Sequence, residues 1–116
     1  FLLARMQEVH SFLASTVHVA HAHGRRGSRW ADDEHAIAAM KARMPQNMRD
    51  GFAEIEHHYL AGPWVLGERF SLADIYLFVV ASWLASDGVA IDEFPKVAAH
   101  ARRMLARPAV QEALIL

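Results

Sequence analysis

Apolar side chains recur at three- and four-residue steps along most of the chain, which is the spacing of one face of an α-helix. The three clearest stripes are Leu2, Met6, Val9, Leu13, Thr16 and Ala20; Ile37, Met40, Met44, Met48, Phe52, Ile55 and Tyr59; and Val97, Ala101, Met104 and Leu105. No stretch alternates with the two-residue period of a β-strand. The pattern therefore predicts an all-α fold of about five helices.

One segment, residues 72–84, is apolar on nearly every side. A helix of that kind is buried inside a protein or a membrane, and about 13 residues is too short for a bilayer, which takes about 20. We therefore predict a bundle built around a buried central helix, residues 71–85, that ends near Gly88. We place Trp83 of this helix among the core side chains.

The start of the central helix carries a capping pattern. Ser71 is the N-cap residue, and the carboxylate of Asp74, three positions later, bonds back to the backbone of Ser71. A carboxylate at the start of an apolar helix also resembles a general base. Because the capping position explains Asp74 fully, we assign Ser71 and Asp74 a structural role.

The ends of the other helices are marked by turn-forming and capping residues. Gly24 is the predicted end of the first helix, and Asp32 or Asp33 caps the second. The second stripe keeps its phase through Pro45, which predicts one kinked helix or two abutting ones.

Composition excludes several classes of function. The 12 basic and 13 acidic side chains give a net charge of −1, which argues against nucleic acid as a partner. Without cysteine there is no thiolate metal site and no cysteine nucleophile. The sequence shows no signal peptide or membrane span, so we expect a cytoplasmic protein without a membrane partner. The chain begins at Phe1, already inside a helical pattern, so we expect it to be part of a longer protein.

Two motifs resemble the C-terminal helical domain of cytosolic glutathione transferases. They are Trp64-Val65-Leu66-Gly67-Glu68-Arg69-Phe70-Ser71-Leu72-Ala73-Asp74-Ile75-Tyr76-Leu77, and Phe94-Pro95 followed by Arg103-Met104-Leu105-Ala106-Arg107-Pro108-Ala109-Val110. The resemblance covers nearly the whole chain and identifies residues 1–116 as one such domain.

The resemblance implies a second domain and an activity. Family members carry an N-terminal thioredoxin-like domain, missing here, that binds most of the glutathione and activates its thiol. The helical domain forms the wall of the electrophile pocket and part of a homodimer interface. The implied reaction, a detoxification, conjugates the co-substrate glutathione to a small hydrophobic electrophile. This chain alone is expected to be inactive.

One residue of the first helix matches a known glutathione neighbour. The run Phe12-Leu13-Ala14-Ser15-Thr16-Val17-His18 is similar to the segment of bacterial, beta-class transferases that places a histidine and then a lysine near the glutathione sulfur. His18 matches that histidine, and Val19 stands in place of the lysine. On a helical wheel His18 falls beside Ser11, Ala14 and Ala22, opposite the apolar stripe. We expect His18, Ser11 and Ala14 to border the ligand; the alternative is a solvated outer face.

A basic segment with an aromatic residue follows: Arg25, Arg26, Arg29 and Trp30. It is either a rim that attracts a thiolate or a substrate carboxylate, or a helix end that pairs with the acidic residues 32–34 and stacks on Trp30. We favour the second interpretation. If the first holds, Arg25 matters most, because it lies two turns after His18 on the same face.

His18 and His21 have the spacing of two metal ligands on a helix, but no third ligand is evident, so we predict no metal site. Two other functions are compatible with the sequence. One is a glutathione-dependent disulfide reductase or dehalogenase on the same scaffold. The other is a non-enzymatic helical module that docks another protein.

Overall fold

The computed structural model describes residues 1–115, and every regular element in that range is helical. The α-helices are α1 (Leu2–Phe12), α2 (His18–Arg25), α3 (Glu34–Glu54), α4 (Leu72–Ala81), α5 (Pro95–Leu105) and α6 (Pro108–Ile115). A π-helical segment, Leu13–Val17, joins α1 to α2, and another, Ile55–Tyr59, extends α3. Five helical rods result, which confirms the predicted all-α class. Within residues 1–115 no helix has both the length and the apolar character needed to cross a membrane.

The core lies between α4 and the rods that surround it. Its largest fully buried apolar side chains are Val9, Leu13, Val17, Met48, Phe52, Ile55, Val65, Leu77, Val80, Leu84 and Met104. Most of these residues come from the predicted stripes, from the central helix and from the loop before α4. The stripe of the first rod was wrong at Thr16, which is exposed, because the π-helical segment turns Val17 inward in its place. Leu2 and Leu105, at the ends of their stripes, are exposed as well.

The first rod packs closely against α3 because it offers a glycine at the contact. A Cβ atom on Gly24 would lie 2.1 Å from Sδ of Met44, so no other residue fits there without movement. Gly24 is therefore a packing residue within α2, and the helix ends one residue later, at Arg25. The predicted cap of the second rod is Asp33, whose carboxylate accepts from the Ala36 N–H at 3.3 Å. That helix continues without interruption through Pro45.

The start of α4 has the predicted capping box. The Ser71 hydroxyl accepts from the Ala73 N–H at 3.2 Å, and the Asp74 carboxylate accepts from the Ser71 N–H at 2.9 Å. The same carboxylate also accepts from the Val65 N–H at 2.8 Å and meets Nε2 of His100 at 2.9 Å. The side chains of Asp74 and His100 are fully buried. Asp74 therefore joins three segments of the fold, far from any surface where a substrate could reach it.

The end of α4 tightens before the predicted boundary. Regular α-helix stops at Ala81, and shorter i→i−3 backbone bonds carry the chain onward. These turns close in a Schellman motif, in which the Val89 N–H bonds to the Leu84 carbonyl and the Gly88 N–H to the Ala85 carbonyl. Gly88 has φ +83°, a conformation that favours glycine. The helical path thus ends where the sequence predicted, with a different geometry in its last turns.

One stripe of α4 differs from the predicted all-round burial. Leu72, Ile75 and Val79 remain 64, 44 and 42 % exposed, whereas Ala73, Leu77 and Val80 are fully buried. The exposed three follow the helical repeat and form one continuous apolar surface.

The start of α5 is stabilised by a side chain from a distant part of the sequence. Pro95 occupies the first helical turn, as predicted. Glu56, almost buried, accepts from the backbone N–H groups of Lys96 at 2.8 Å and Val97 at 3.0 Å. The carboxylate satisfies donors that a local N-cap side chain would otherwise serve.

Candidate functional site

The helix α2, the short segment that follows it and the turns after α4 border a cavity of about 240 Å³ that includes one of the predicted ligand contacts, His18. We call it the histidine pocket, and its lining residues are His18, His21, Ala22, Arg26, Arg29 and Trp83. It brings together a predicted ligand contact, His18, with a residue predicted as core, Trp83.

The π-helical segment before α2 decides which side chains reach this pocket. A π turn holds one residue more than an α turn, so every residue after it is rotated relative to a regular helical wheel. Ser11 and Ala14 lie before or within the segment; both are exposed and neither lines the pocket. The wheel grouped them with His18 because it assumed one uninterrupted α-helix. His18 and Ala22, both beyond the segment, do lie together.

His18 is held by two aromatic residues, Tyr76 of α4 and Trp83 of the turns that follow it. Its Nδ1 lies 2.8 Å from the Tyr76 hydroxyl, and its ring packs edge-on against Trp83 with centroids 5.0 Å apart. Desolvation by burial raises the pKa of the Tyr76 phenol, so the hydroxyl keeps its proton throughout the neutral range. Because Tyr76 occupies Nδ1, the nitrogen left for a ligand is Nε2.

His21 is oriented by a buried carboxylate. Its Nδ1 lies 2.6 Å from Asp87, and its ring stacks on Trp83 at 4.2 Å and 21°. The Asp87 side chain is fully buried, whereas that of His21 is 18 % exposed. Since a carboxylate only accepts, His21 carries a proton on Nδ1 and directs Nε2 away from Asp87.

Arg25 contacts Asp87, the carboxylate that orients His21, and does not line the pocket. Its Nε donates to Asp87 at 3.1 Å, and its guanidinium also bonds to the Ser86 carbonyl. The sequence placed Arg25 on the ligand face and favoured pairing with the acidic residues 32–34. The structure instead pairs it with Asp87, 62 positions along the chain.

Arg26 and Arg29 line the pocket in its place. Among the described residues neither forms an ion pair, with residues 32–34 or with any other carboxylate. Trp30 is half exposed and contacts His23 edge-on at 4.5 Å, outside the pocket. The rim interpretation therefore suits Arg26 and Arg29. The predicted ligand contact of Trp30 stays a prediction, and Trp30 does not line the pocket.

Tyr76, Trp83 and Asp87 were not among the residues predicted to form a site. They lie seven and four positions apart, which puts them on one face of a helical segment. That polar and aromatic repeat within an apolar run was the available signal. It went unused because the run as a whole was assigned to the core.

The pocket provides hydrogen-bonding nitrogens, aromatic surface and two guanidinium groups. It contains no thiol, and its lining includes no serine or threonine hydroxyl. Within residues 1–115 no three His, Asp or Glu side chains are grouped closely enough to hold a metal ion. The arrangement is therefore suited to holding an anion or a polarisable nucleophile supplied from elsewhere.

The fold has close counterparts among solved structures. A glutathione transferase homologue from Sulfitobacter, solved with bound glutathione, matches 97 % of this chain with 45 % identity and a TM-score of 0.95. A ternary complex of BphK, a bacterial glutathione transferase, matches 94 % of the chain with 27 % identity and a TM-score of 0.78. This chain spans 54 % and 51 % of those two chains.

Curated proteins match over shorter stretches. Glutathione S-transferase GstA of Escherichia coli O157:H7 is 41 % identical over 51 residues, 44 % of this chain and 25 % of its own length. The 2,5-dichlorohydroquinone reductive dechlorinase of Sphingobium indicum is 42 % identical over 59 residues, 47 % of this chain and 17 % of its own length. The aligned segment thus spans at most a quarter of these curated relatives.

The model of the glutathione S-transferase C-terminal domain family matches residues 36–103, more than half of the chain. That range contains the capping box, the Asp74–His100 pair and the turns after α4 that contribute Trp83 and Asp87. The chain therefore belongs to the glutathione S-transferase C-terminal domain family.

Proposed function

We propose that this chain is the helical domain of a bacterial glutathione transferase and forms one wall of its substrate site. The observation that carries the proposal is the 45 % identity, over 97 % of this chain, to a homologue solved with glutathione bound. An N-terminal thioredoxin-like domain supplies the rest of the glutathione site and the group that activates the thiol. The complete protein is proposed to act in the cytoplasm, and this domain alone to be inactive.

The proposed reaction is attack by the glutathione thiolate on an electrophilic carbon, with departure of a leaving group such as halide. The histidine pocket contributes His18, whose Nε2 is free because Tyr76 occupies Nδ1. A hydrogen bond from Nε2–H to sulfur favours the thiolate over the thiol and lowers the pKa of the thiol. His18 therefore acts on the nucleophile without forming a bond to the substrate.

The partner proposed for the complete protein is a second copy of itself. The rods formed by α1–α2 and α3 leave a groove of about 460 Å³ between them, lined by residues that include Phe12, Val19 and Asp50. Sedimentation of the full-length gene product tests the homodimer, and a monomeric mass would contradict it.

The test of the activity is glutathione-affinity binding of the full-length gene product, followed by conjugation to 1-chloro-2,4-dinitrobenzene. We expect His18→Ala to lower kcat/KM by about tenfold and to move the acidic limb of its pH profile upward, because the thiol loses a stabilising donor. His35→Ala is the matched control, since His35 is exposed and outside the pocket. A His18→Ala enzyme with an unchanged pH profile would remove His18 from the mechanism. Failure of the full-length protein to bind glutathione would favour the docking-module alternative.

A second candidate activity is reductive dehalogenation, which is favoured by the 42 % identity to a reductive dechlorinase. That reaction releases chloride, replaces it with hydrogen and consumes two thiols to form a disulfide. Conjugation instead yields chloride and a thioether. Measuring glutathione disulfide beside chloride release with a chlorinated hydroquinone separates the two activities.

A further inference from the structure

The size of the histidine pocket limits what it can hold. Its volume is about 240 Å³. A cavity of about 150 Å³ in an apolar protein core holds one benzene molecule. The histidine pocket therefore has room for one substituted ring.

The wall of the pocket is aromatic on one side. His18 and His21 both pack on Trp83, at 5.0 and 4.2 Å between ring centroids, so three rings form one connected surface. Aromatic ligands pack on such a surface in offset or edge-on arrangements that add to simple burial. This side of the pocket is suited to a planar ring.

The pocket lining also carries positive charge. Arg26 and Arg29 line the pocket, and neither is paired with a carboxylate in the part of the chain that the structure describes. Arg25, one position away, is paired with Asp87. Two unneutralised guanidinium groups at one pocket attract an anion, and their planar donor pairs match the geometry of a carboxylate.

The acidic group nearest the pocket does not oppose such a ligand. Asp87 is fully buried behind His21 and accepts from both His21 and Arg25. Its negative charge is thereby paired behind His21 and not presented to the cavity. Arg26 and Arg29 are the arginines that line the pocket.

We infer that the second substrate is a single-ring aromatic compound carrying an anionic oxygen, a carboxylate or a phenolate, with its ring against the His18–Trp83–His21 wall and its charge toward Arg26 and Arg29. The inference rests on the proposed function and narrows its substrate from a hydrophobic electrophile to an anionic one.

The test compares two electrophiles with the same ring and leaving group: 4-chloro-3-nitrobenzoate, which is anionic, and 4-chloro-3-nitrobenzamide, which is neutral. For the full-length protein, the preference is the ratio of kcat/KM for the benzoate to that for the amide. We expect the double variant R26Q/R29Q to lower this ratio about tenfold, the combined effect of two partly exposed ion pairs. R102Q, which removes an exposed arginine of α5 outside the pocket, should leave the ratio unchanged.

Two results would overturn the inference. One is an unchanged ratio in R26Q/R29Q. The other is a rise in the KM for glutathione that is equal with both electrophiles, because the arginines would then serve a carboxylate of glutathione.

A binding measurement separates this inference from the proposed reaction. Calorimetry with the unreactive pair 3-nitrobenzoate and 3-nitrobenzamide, in the presence of glutathione, requires no turnover. If neither chloro compound is conjugated but the wild type prefers the benzoate and R26Q/R29Q does not, the anionic pocket stands and the transferase proposal fails. Equal binding of the two compounds by the wild type overturns the anionic pocket.

Discussion

One aspartate–histidine pair stands at the start of α4 and another in the turns that follow the helix, and the pairs differ in what surrounds them. Asp74 and His100 are both fully buried, and Asp74 also accepts two backbone N–H groups. Asp87 is equally buried, but its partner His21 is 18 % exposed and lines a cavity. The same two residue types therefore hold the fold together in the Asp74–His100 pair and orient a pocket wall in the Asp87–His21 pair. Residue type alone does not distinguish the two roles, whereas access to solvent does.

The largest effect should follow from breaking the fully buried pair, Asp74 and His100. Asp74→Ala removes the acceptor of two backbone N–H groups and leaves His100 buried without a partner, so we expect a loss of about 3 kcal/mol or more in the free energy of unfolding. Urea denaturation followed by circular dichroism measures it. Ser71→Ala, which removes only the local cap, should cost about 1 kcal/mol. Equal losses in the two variants would show that the contacts of Asp74 beyond the cap contribute nothing.

Breaking the partly exposed pair, Asp87 and His21, should lower the stability less and the catalytic activity more. Asp87→Asn keeps a carbonyl acceptor but loses the charge shared by His21 and Arg25, and we expect about 1–2 kcal/mol less stability. Because His21 and Trp83 then lose their fixed orientation, kcat/KM of the full-length enzyme should fall about tenfold even where the protein is fully folded. Activity measured well below the unfolding midpoint checks this. Wild-type activity in folded Asp87→Asn would show that the pair has no role in the pocket.

The smallest effect concerns Tyr76, next to the partly exposed pair. Its pKa is raised by burial, so the folded state disfavours the phenolate. Stability from this group is fully present below the ordinary tyrosine pKa, about 10, and is lost as pH rises through the higher value of the folded state. We expect the wild type to lose stability above about pH 10 more steeply than Tyr76→Phe. Urea midpoints at half-unit pH steps decide it, and parallel curves would contradict the assignment.

The sequence was sufficient to predict the capping box at the start of α4, but it was insufficient to predict the contacts of Asp87 after the helix. Ser71 and Asp74 form a local pattern with a defined spacing, and local patterns can be read without a fold. His100 and Glu56 reach their partners across 26 and 40 positions, and no local spacing encodes such pairs. The pairing of Arg25 with Asp87 was missed for the same reason, because acidic residues closer in sequence were the obvious partners.

The histidine pocket was half predicted. His18 was found through resemblance to a family, and Arg26 and Arg29 were named as part of a basic segment. Ser11 and Ala14 were grouped with His18 by a helical wheel that the π-helical segment invalidates. Trp83 was assigned to the core, against which it does pack, but apolar character alone did not show that it also lines a pocket. Only the geometry shows that one face of α4 borders a cavity.

The π-helical segment Leu13–Val17 also has a consequence for how this domain tolerates changes in length. Its extra residue sets the rotation between α1, anchored by Val9, and α2, anchored where Gly24 meets Met44. Deleting the single codon for Ala14 would convert the segment to a uniform α-helix, and because the π turn absorbs one residue, α1 and α2 would keep nearly the same relative orientation. We therefore expect far-ultraviolet circular dichroism, the core contacts of α1 and the contact of His18 with Tyr76 to change little. The same deletion in the middle of α5, which has no π turn, would rotate one half of that helix against the other by about 100°. The first rod can therefore lose one residue at a place where a regular helix could not.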